Sequence, residues 1–116
     1  MEKGNSDPGV RTKLFVAHET IGVGKIKLLQ LVGETGSISA AAHQMGMSCR
    51  RARFLLDSMQ RGFDGPLMET ARVGKRPNGA KLTKLGFELI ERYVSHADLI
   101  AGQSKEFLSW LRSVQS

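Results

Sequence analysis

Residues 37–57, SISAAAHQMGMSCRRARFLLD, decide how this chain folds. Ile38, Ala41, Ala42 and Met45 recur at the i, i+3, i+4, i+7 spacing of one buried helical face, and Ser37 stands where an N-cap belongs. Gly46 breaks that helix. Ser48 caps a second one, whose inner face is Ala52, Leu55, Leu56 and Met59 and which ends near Gly62. Alanines let two helices cross closely, and glycine permits a sharp bend, so the spacing predicts a helix-turn-helix with Ala42 at the crossing and Gly46 at the turn.

The outer face of the second helix carries the chemistry. At about 100° per residue, Arg50, Arg53, Phe54, Asp57 and Arg61 point away from the buried set, with Arg51 on the flank. Arginine in a first turn opposes the helix dipole, which favours negative charge there. A phosphate or a guanine edge accounts for the choice, because arginine reads guanine O6 and N7 with two parallel hydrogen bonds. Cys49, between a serine and two arginines, leaves two alternatives open, a small contact residue or a redox-responsive thiol.

Charge concentrates in the same region. The chain carries 17 Lys and Arg against 11 Asp and Glu, a net +6. Between Arg50 and Lys84 there are nine basic residues and three acidic ones, so this third of the chain could account for the whole surplus. A polyanionic partner is expected there.

Further along, LMETA at 67–71 and Ala80–Leu82 flank RVGKRPNG, whose Gly74, Pro77, Asn78 and Gly79 cannot continue regular structure. A hairpin with a basic tip follows, placing Arg72, Lys75 and Arg76 where a loop beside a recognition helix reaches backbone or a neighbouring groove. Thr83 then caps a helix expected to run unbroken to about Val114, some 46 Å long. Leu85, Leu89, Tyr93, Ala97, Ile100, Phe107, Leu111 and Val114 repeat along it at three- and four-residue steps. A helix of that length overshoots a domain of this size and calls for a partner helix.

Upstream, Gly24 to Thr35 predicts a helix in which Ile26, Leu28, Leu29, Leu31 and Val32 leave only a narrow polar sector. So wide an apolar arc predicts burial on two sides, one against the domain core and one against something else. Leu28, Leu31, Leu89, Tyr93, Ile100, Phe107 and Leu111 are accordingly the expected dimerisation residues. Lys13 to Glu19 predicts a short strand paired with the later hairpin, and residues 1–12, polar and without periodicity, predict a disordered arm.

The exclusions are equally definite. At 116 residues the chain is one domain in size. One cysteine allows no internal disulfide and suits a reducing, cytoplasmic setting. There is no signal-peptide core and no membrane span. His18, His43 and His96 form no ligand spacing, so no metal is expected. No Gly-rich phosphate loop, paired-acid arrangement or nucleophile-base motif appears, so neither catalysis nor a cofactor is expected.

The run GKIKLLQLVGETGSISAAAHQMGMSCRRA, followed by PLMETARVGKRPNGAKLTKLGFELI, resembles the N-terminal winged-helix domain of the molybdate-responsive ModE family over about residues 13–100. The shared features are the TGSIS-AAA helix opening, the G-x-S turn, the L-x-E-T strand, a Gly-rich wing and A-x-L-T-x-x-G at the last helix. LysR-type regulators share some of these, but their first helix usually opens the chain. The resemblance implies a homodimer formed through the last helix and the first, with recognition helices in successive major grooves. It also places Ser48, Cys49, Arg50 and Arg53, with Lys75 and Arg76 of the wing, towards DNA, and Ser37 and Ser39 are expected on the same surface. Two positions depart from the family pattern, which commonly has an aromatic residue at 49 and a tryptophan at 53, so base preference is expected to differ. The chain ends at Ser116, so the oxyanion-binding domains of that family, and molybdate sensing with them, are not expected.

Taken together, residues and resemblance predict a mainly α fold with a small β element: a winged helix-turn-helix over 13–83 and a dimerisation helix over 84–116. The expected function is sequence-specific regulation of transcription by a homodimer on double-stranded DNA. The alternatives are a nonspecific architectural DNA-binding protein and a protein-interaction module on the same scaffold.

Overall fold

Local capping chemistry sets most of the helix boundaries. A computed structural model describes residues 7–70 and 79–116. In chain order they form β1 (Leu14–Val16), β2 (Glu19–Ile21), α1 (Val23–Thr35), α2 (Ile38–Met45), α3 (Cys49–Gln60), β3 (Met68–Thr70), β4 (Ala80–Leu82), α4 (Lys84–Gln103) and α5 (Lys105–Val114). The fold is mainly helical with two small antiparallel hairpins.

Three hydroxyls cap three helices in the same way. Ser37 Oγ accepts the Ala40 N–H at 3.1 Å, Ser48 Oγ that of Arg51 at 3.0 Å, and Thr83 Oγ1 that of Gly86 at 3.1 Å. Each satisfies a backbone donor that the first turn leaves without a helical acceptor. Gly36 and Gly46 close α1 and α2 in the left-handed conformation, at φ 71° and 72°, where a side chain would be strained.

Helix α1 is the centre of the molecule. It packs against α2, α3, α4, β2 and β4. The apolar arc that predicts a second, intermolecular side is therefore covered by the chain itself: Leu28 is fully buried and Leu31 nearly so. These two expected dimer residues are core residues. The core continues through Ile21, Ile38, Ala41, Ala42, Ala52, Leu56, Met59, Leu67, Leu82 and Tyr93.

The N-terminal stretch departs from expectation. Instead of one strand paired with the later hairpin, it folds back on itself, Leu14 opposite Ile21 and Val16 opposite Glu19. Ala17 and His18 make the two-residue turn at φ 48° and 72°. Positive φ at both central positions is what the twist of a tight hairpin requires, although neither residue is the glycine or asparagine that usually signals it. Lys25 ties this hairpin to the helices, its Nζ donating at 2.8 Å both to the Thr20 carbonyl and to Ser58 Oγ on α3.

The second hairpin pairs Met68 with Leu82 and Thr70 with Ala80. A bridge between Ser37 and Gly79, with the Ala80 N–H donating to the Gly36 carbonyl at 3.1 Å, fixes its base to the junction of α1 and α2. The single helix expected to reach Val114 is broken at Ser104. Ser104 Oγ donates to the Ile100 carbonyl at 2.7 Å, and its N–H is shared between Ile100 and Ala101. A serine bonding back to the previous turn bends a helix, and Gly102 beside it lowers the resistance.

Residues 7–12, part of the stretch expected to be disordered, run back along the helices. The Thr12 carbonyl accepts the Tyr93 hydroxyl, and Asp7 lies 3.9 Å from Arg112. Tyr93, an expected dimer residue, is thus buried in its own chain. Burial pushes its hydroxyl above the ordinary value of 10.0, because the phenolate would lose its water. The raised value favours the neutral form, so the stability it contributes is complete below about pH 10 and is lost as pH rises through the folded-state value. Tyr93→Phe is expected to cost about 1 kcal/mol at neutral pH and to remove that alkaline loss. Urea unfolding at pH 7 and above pH 10 measures both, and an unchanged midpoint at neutral pH would contradict the hydrogen bond's role.

Candidate nucleic-acid interface

Helices α2 and α3 meet across the Gly46 turn, so the first turn of α3 emerges beside the first turn of α2. The contact is direct. Ser39 Oγ on α2 donates to Cys49 Sγ on α3 at 3.5 Å. Cys49 is half-buried and packs against the core, while Ser48 before it is exposed. Ser37 and Ser39 are half-buried, and the Ser37 hydroxyl serves as acceptor in its cap.

The buried side of α3 is Ala52, Leu56 and Met59, with Leu55 half-buried. Opposite them Arg50, Arg51, Arg53, Phe54 and Asp57 are all exposed. There is no acidic residue in the first turn of α3, so the positive end of the helix dipole and three guanidinium groups share one surface. No salt bridge among the described residues involves Arg50 or Arg51. Arg61, further along the same face, differs: its Nε lies 3.2 Å from Glu19 Oε2 on the N-terminal hairpin. Arg61, just past the end of α3, is therefore paired with an acid of the hairpin, and Arg50, Arg51 and Arg53 stand exposed at the N-terminal end.

The base of the second hairpin adjoins this surface through the Ser37 and Gly79 bridge. Arg72, Lys75 and Arg76, expected at its tip, lie outside the described residues. Of the expected dimer residues on the last helices, Leu89, Ile100 and Leu111 are half-buried and Phe107 is exposed. Phe107 stacks on Trp110, centroids 6.1 Å apart and planes 17° from parallel.

Sequence periodicity missed other exposed apolar side chains. Phe87 is 61% and Leu99 59% exposed, on opposite flanks of the α4 stripe that faces the core. An open groove of about 1080 Å³ runs along this outer side, lined in part by Leu14, Phe87, Leu89, His96 and Leu99. Taking the apolar residues of α4 as one heptad row hides these flanks. Counting every large apolar residue off that row would have found them. Among the described residues no group of three or more His, Cys, Asp or Glu is placed to hold a metal, and no helix is long and apolar enough to cross a membrane.

No protein-family model matches the chain. It is 33% identical over 116 residues to the molybdenum-pterin-binding protein MopB of Rhodobacter capsulatus, a match covering 97% of this chain and 42% of MopB. It is 37% identical over 84 residues to the DNA-binding transcriptional dual regulator ModE of Escherichia coli K12, covering 72% of this chain and 30% of that protein. The molybdenum transport protein ModE of Herbaspirillum seropedicae is 40% identical over 63 residues, 54% of this chain and 23% of its own length. The chain therefore spans less than half the length of these relatives, and it is similar along nearly all of its own length to a part of MopB and along most of it to a part of ModE.

Proposed function

We propose that this chain is a sequence-specific DNA-binding regulator of transcription that acts as a homodimer and is not an enzyme. In this function α3 enters the major groove, with Arg50 and Arg53 on base edges. Ser37, Ser39, Ser48, Cys49 and Arg51 lie towards the backbone, and the hairpin with Arg72, Lys75 and Arg76 grips phosphate or the adjacent minor groove. The carrying observation is the first turn of α3, where exposed arginines stand at a serine-capped, dipole-positive helix start held beside α2. Such a surface matches the way recognition helices present their N-terminal residues to bases. The similarity to ModE of Escherichia coli, named as a DNA-binding transcriptional regulator, supports the same function.

Selection of bound duplexes from a random pool tests it. The expected outcome is an enriched two-fold motif with half-sites about 34–36 Å apart, or a multiple of that, and at least roughly thousandfold preference over random DNA. Salt-sensitive binding without a motif would instead make the chain architectural, and absence of binding would turn the same face towards a protein. Adding a molybdenum pterin to the selected complex asks whether the binding stated in MopB's name extends to this chain.

The second copy is proposed to cover apolar residues of α4 and α5 that this chain leaves exposed or half-buried, with Leu89, Ile100, Phe107 and Leu111 retained from the expected set and Leu99 and Trp110 added. Leu99 is largely exposed, so Leu99→Asp should leave the monomer folded. It is expected to convert dimer to monomer in light-scattering chromatography and to lower affinity for a two-fold site at least tenfold, because the two recognition helices would no longer be linked. A Leu99→Asp protein that stays dimeric would remove this face from the interface.

A further inference from the structure

We infer that Phe54 is a specificity-determining residue that reads the 5-methyl group of a thymine next to the base pairs met by Arg50 and Arg53. The inference rests on the DNA-binding function proposed above and assigns a base to one more position of the same helix. Phe54 is 62% exposed and belongs to no part of the core. At about 100° per residue it lies some 40° around the helix from Arg50 and one turn further along. Arg50 and Phe54 thus straddle the outermost line of α3, the line that goes deepest into a groove. Arg50, Arg53 and Asp57 lie to one side of it around the helix and Arg51 to the other, all exposed.

A phenyl ring left 62% exposed amid charges gains little from this chain's own packing. In the major groove only one base feature is apolar, the thymine methyl, and phenylalanine is among the side chains that meet it. The flanking guanidinium groups suit the negative potential of the groove, which disfavours an apolar protein surface as the occupant of this spot.

The test is a thermodynamic cycle on the duplex recovered by selection. Each thymine of one half-site is replaced in turn by uracil, which removes the methyl group alone, and affinities of the wild type and of Phe54→Ala are measured at one salt concentration. Burial of one methyl group is worth a factor of about four, so wild type should lose about fourfold at one or two thymines. Phe54→Ala should bind thymine and uracil alike there, and Phe54→Leu should keep part of the difference. Arg50→Ala should lose guanine discrimination while keeping the thymine-to-uracil ratio. A half-site without thymine in reach, indifference of wild type to every uracil, or an unchanged ratio in Phe54→Ala overturns the assignment while leaving the DNA-binding function standing. If wild type enriches no motif, both fall together.

Discussion

Gly86→Ala is expected to lower the melting temperature by about 8–10 °C, a larger effect than the same change at Gly33 or Gly102. A Cβ at position 86 would lie 2.1 Å from the carbonyl oxygen of Leu67 and 3.2 Å from its carbonyl carbon. That oxygen cannot step aside cheaply, because it accepts the Thr83 N–H at 3.0 Å. Thr83 is itself held: its hydroxyl donates to the Pro66 carbonyl at 2.6 Å and accepts the Gly86 N–H. The threonine and the glycine three residues later therefore form one joint, which locks the start of α4 onto the chain entering β3. Overpacking against backbone costs about 3 kcal/mol, against roughly 1 kcal/mol at most regained from alanine's helix propensity. Each net kcal/mol moves the midpoint of a domain of this size by about 4–5 °C. Two controls separate sterics from propensity. Gly33→Ala meets only the Leu82 side chain, at 2.6 Å, and should cost less. Gly102→Ala meets nothing within 4 Å and should be neutral or stabilising. Equal melting temperatures for Gly86→Ala and wild type would show that the joint is soft.

That joint also shows what a sequence can reveal. The L-T-x-x-G pattern at 82–86 is visible in the chain, and the cap at Thr83 follows from local chemistry, as do those at Ser37 and Ser48. The glycine's reason is not local, because the atom it must avoid belongs to Leu67, nineteen residues earlier. The same division runs through the fold. Gly36 and Gly46 are readable stops since left-handed closure depends on the glycine alone, and the positions of α2, α3 and the second hairpin follow the periodicity. Ala17 and His18 carry no such signal, so the N-terminal hairpin is hidden behind what reads as one strand. Ser104 is ordinary inside a helix until its hydroxyl bonds back to Ile100.

Partner surfaces are harder still. An apolar arc states that a helix is covered, never by what. On α1 the cover is the chain's own α2, α3, α4 and hairpins, which moves Leu28 and Leu31 from an expected interface to the core, and Tyr93 of α4 is buried with them. The exposed arginines of α3 are legible because helical periodicity and the positions of Ala52, Leu56 and Met59 fix which side is out. The compensation of Arg61 by Glu19 is not, since it depends on where the N-terminal hairpin folds.

On the selected duplex, Arg50→Glu is expected to weaken binding more than a hundredfold. Removing a bidentate hydrogen-bond pair to guanine costs about 1–3 kcal/mol, the range expected for Arg50→Ala, and the glutamate adds repulsion from phosphates. Arg50 is exposed and outside the core, so the change should not unfold the protein. The pattern across sequences carries more information than the size. Arg50→Ala and Arg53→Ala should flatten preference at particular base pairs and leave affinity for random DNA nearly intact. Replacing Lys75 or Arg76 should weaken every sequence alike and reduce the slope of log affinity against log salt by about one for each phosphate no longer neutralised. Arg92→Ala should change neither, because Arg92 lies on α4, paired with Glu88 at 3.0 Å one turn away. If helix and hairpin variants behave identically, losing affinity on all sequences in proportion to charge removed, then α3 contributes only its electrostatic field. The surface would then belong to an architectural protein that follows the backbone of any duplex, since a helix that reads bases cannot lose an arginine without losing discrimination at the pair it touched.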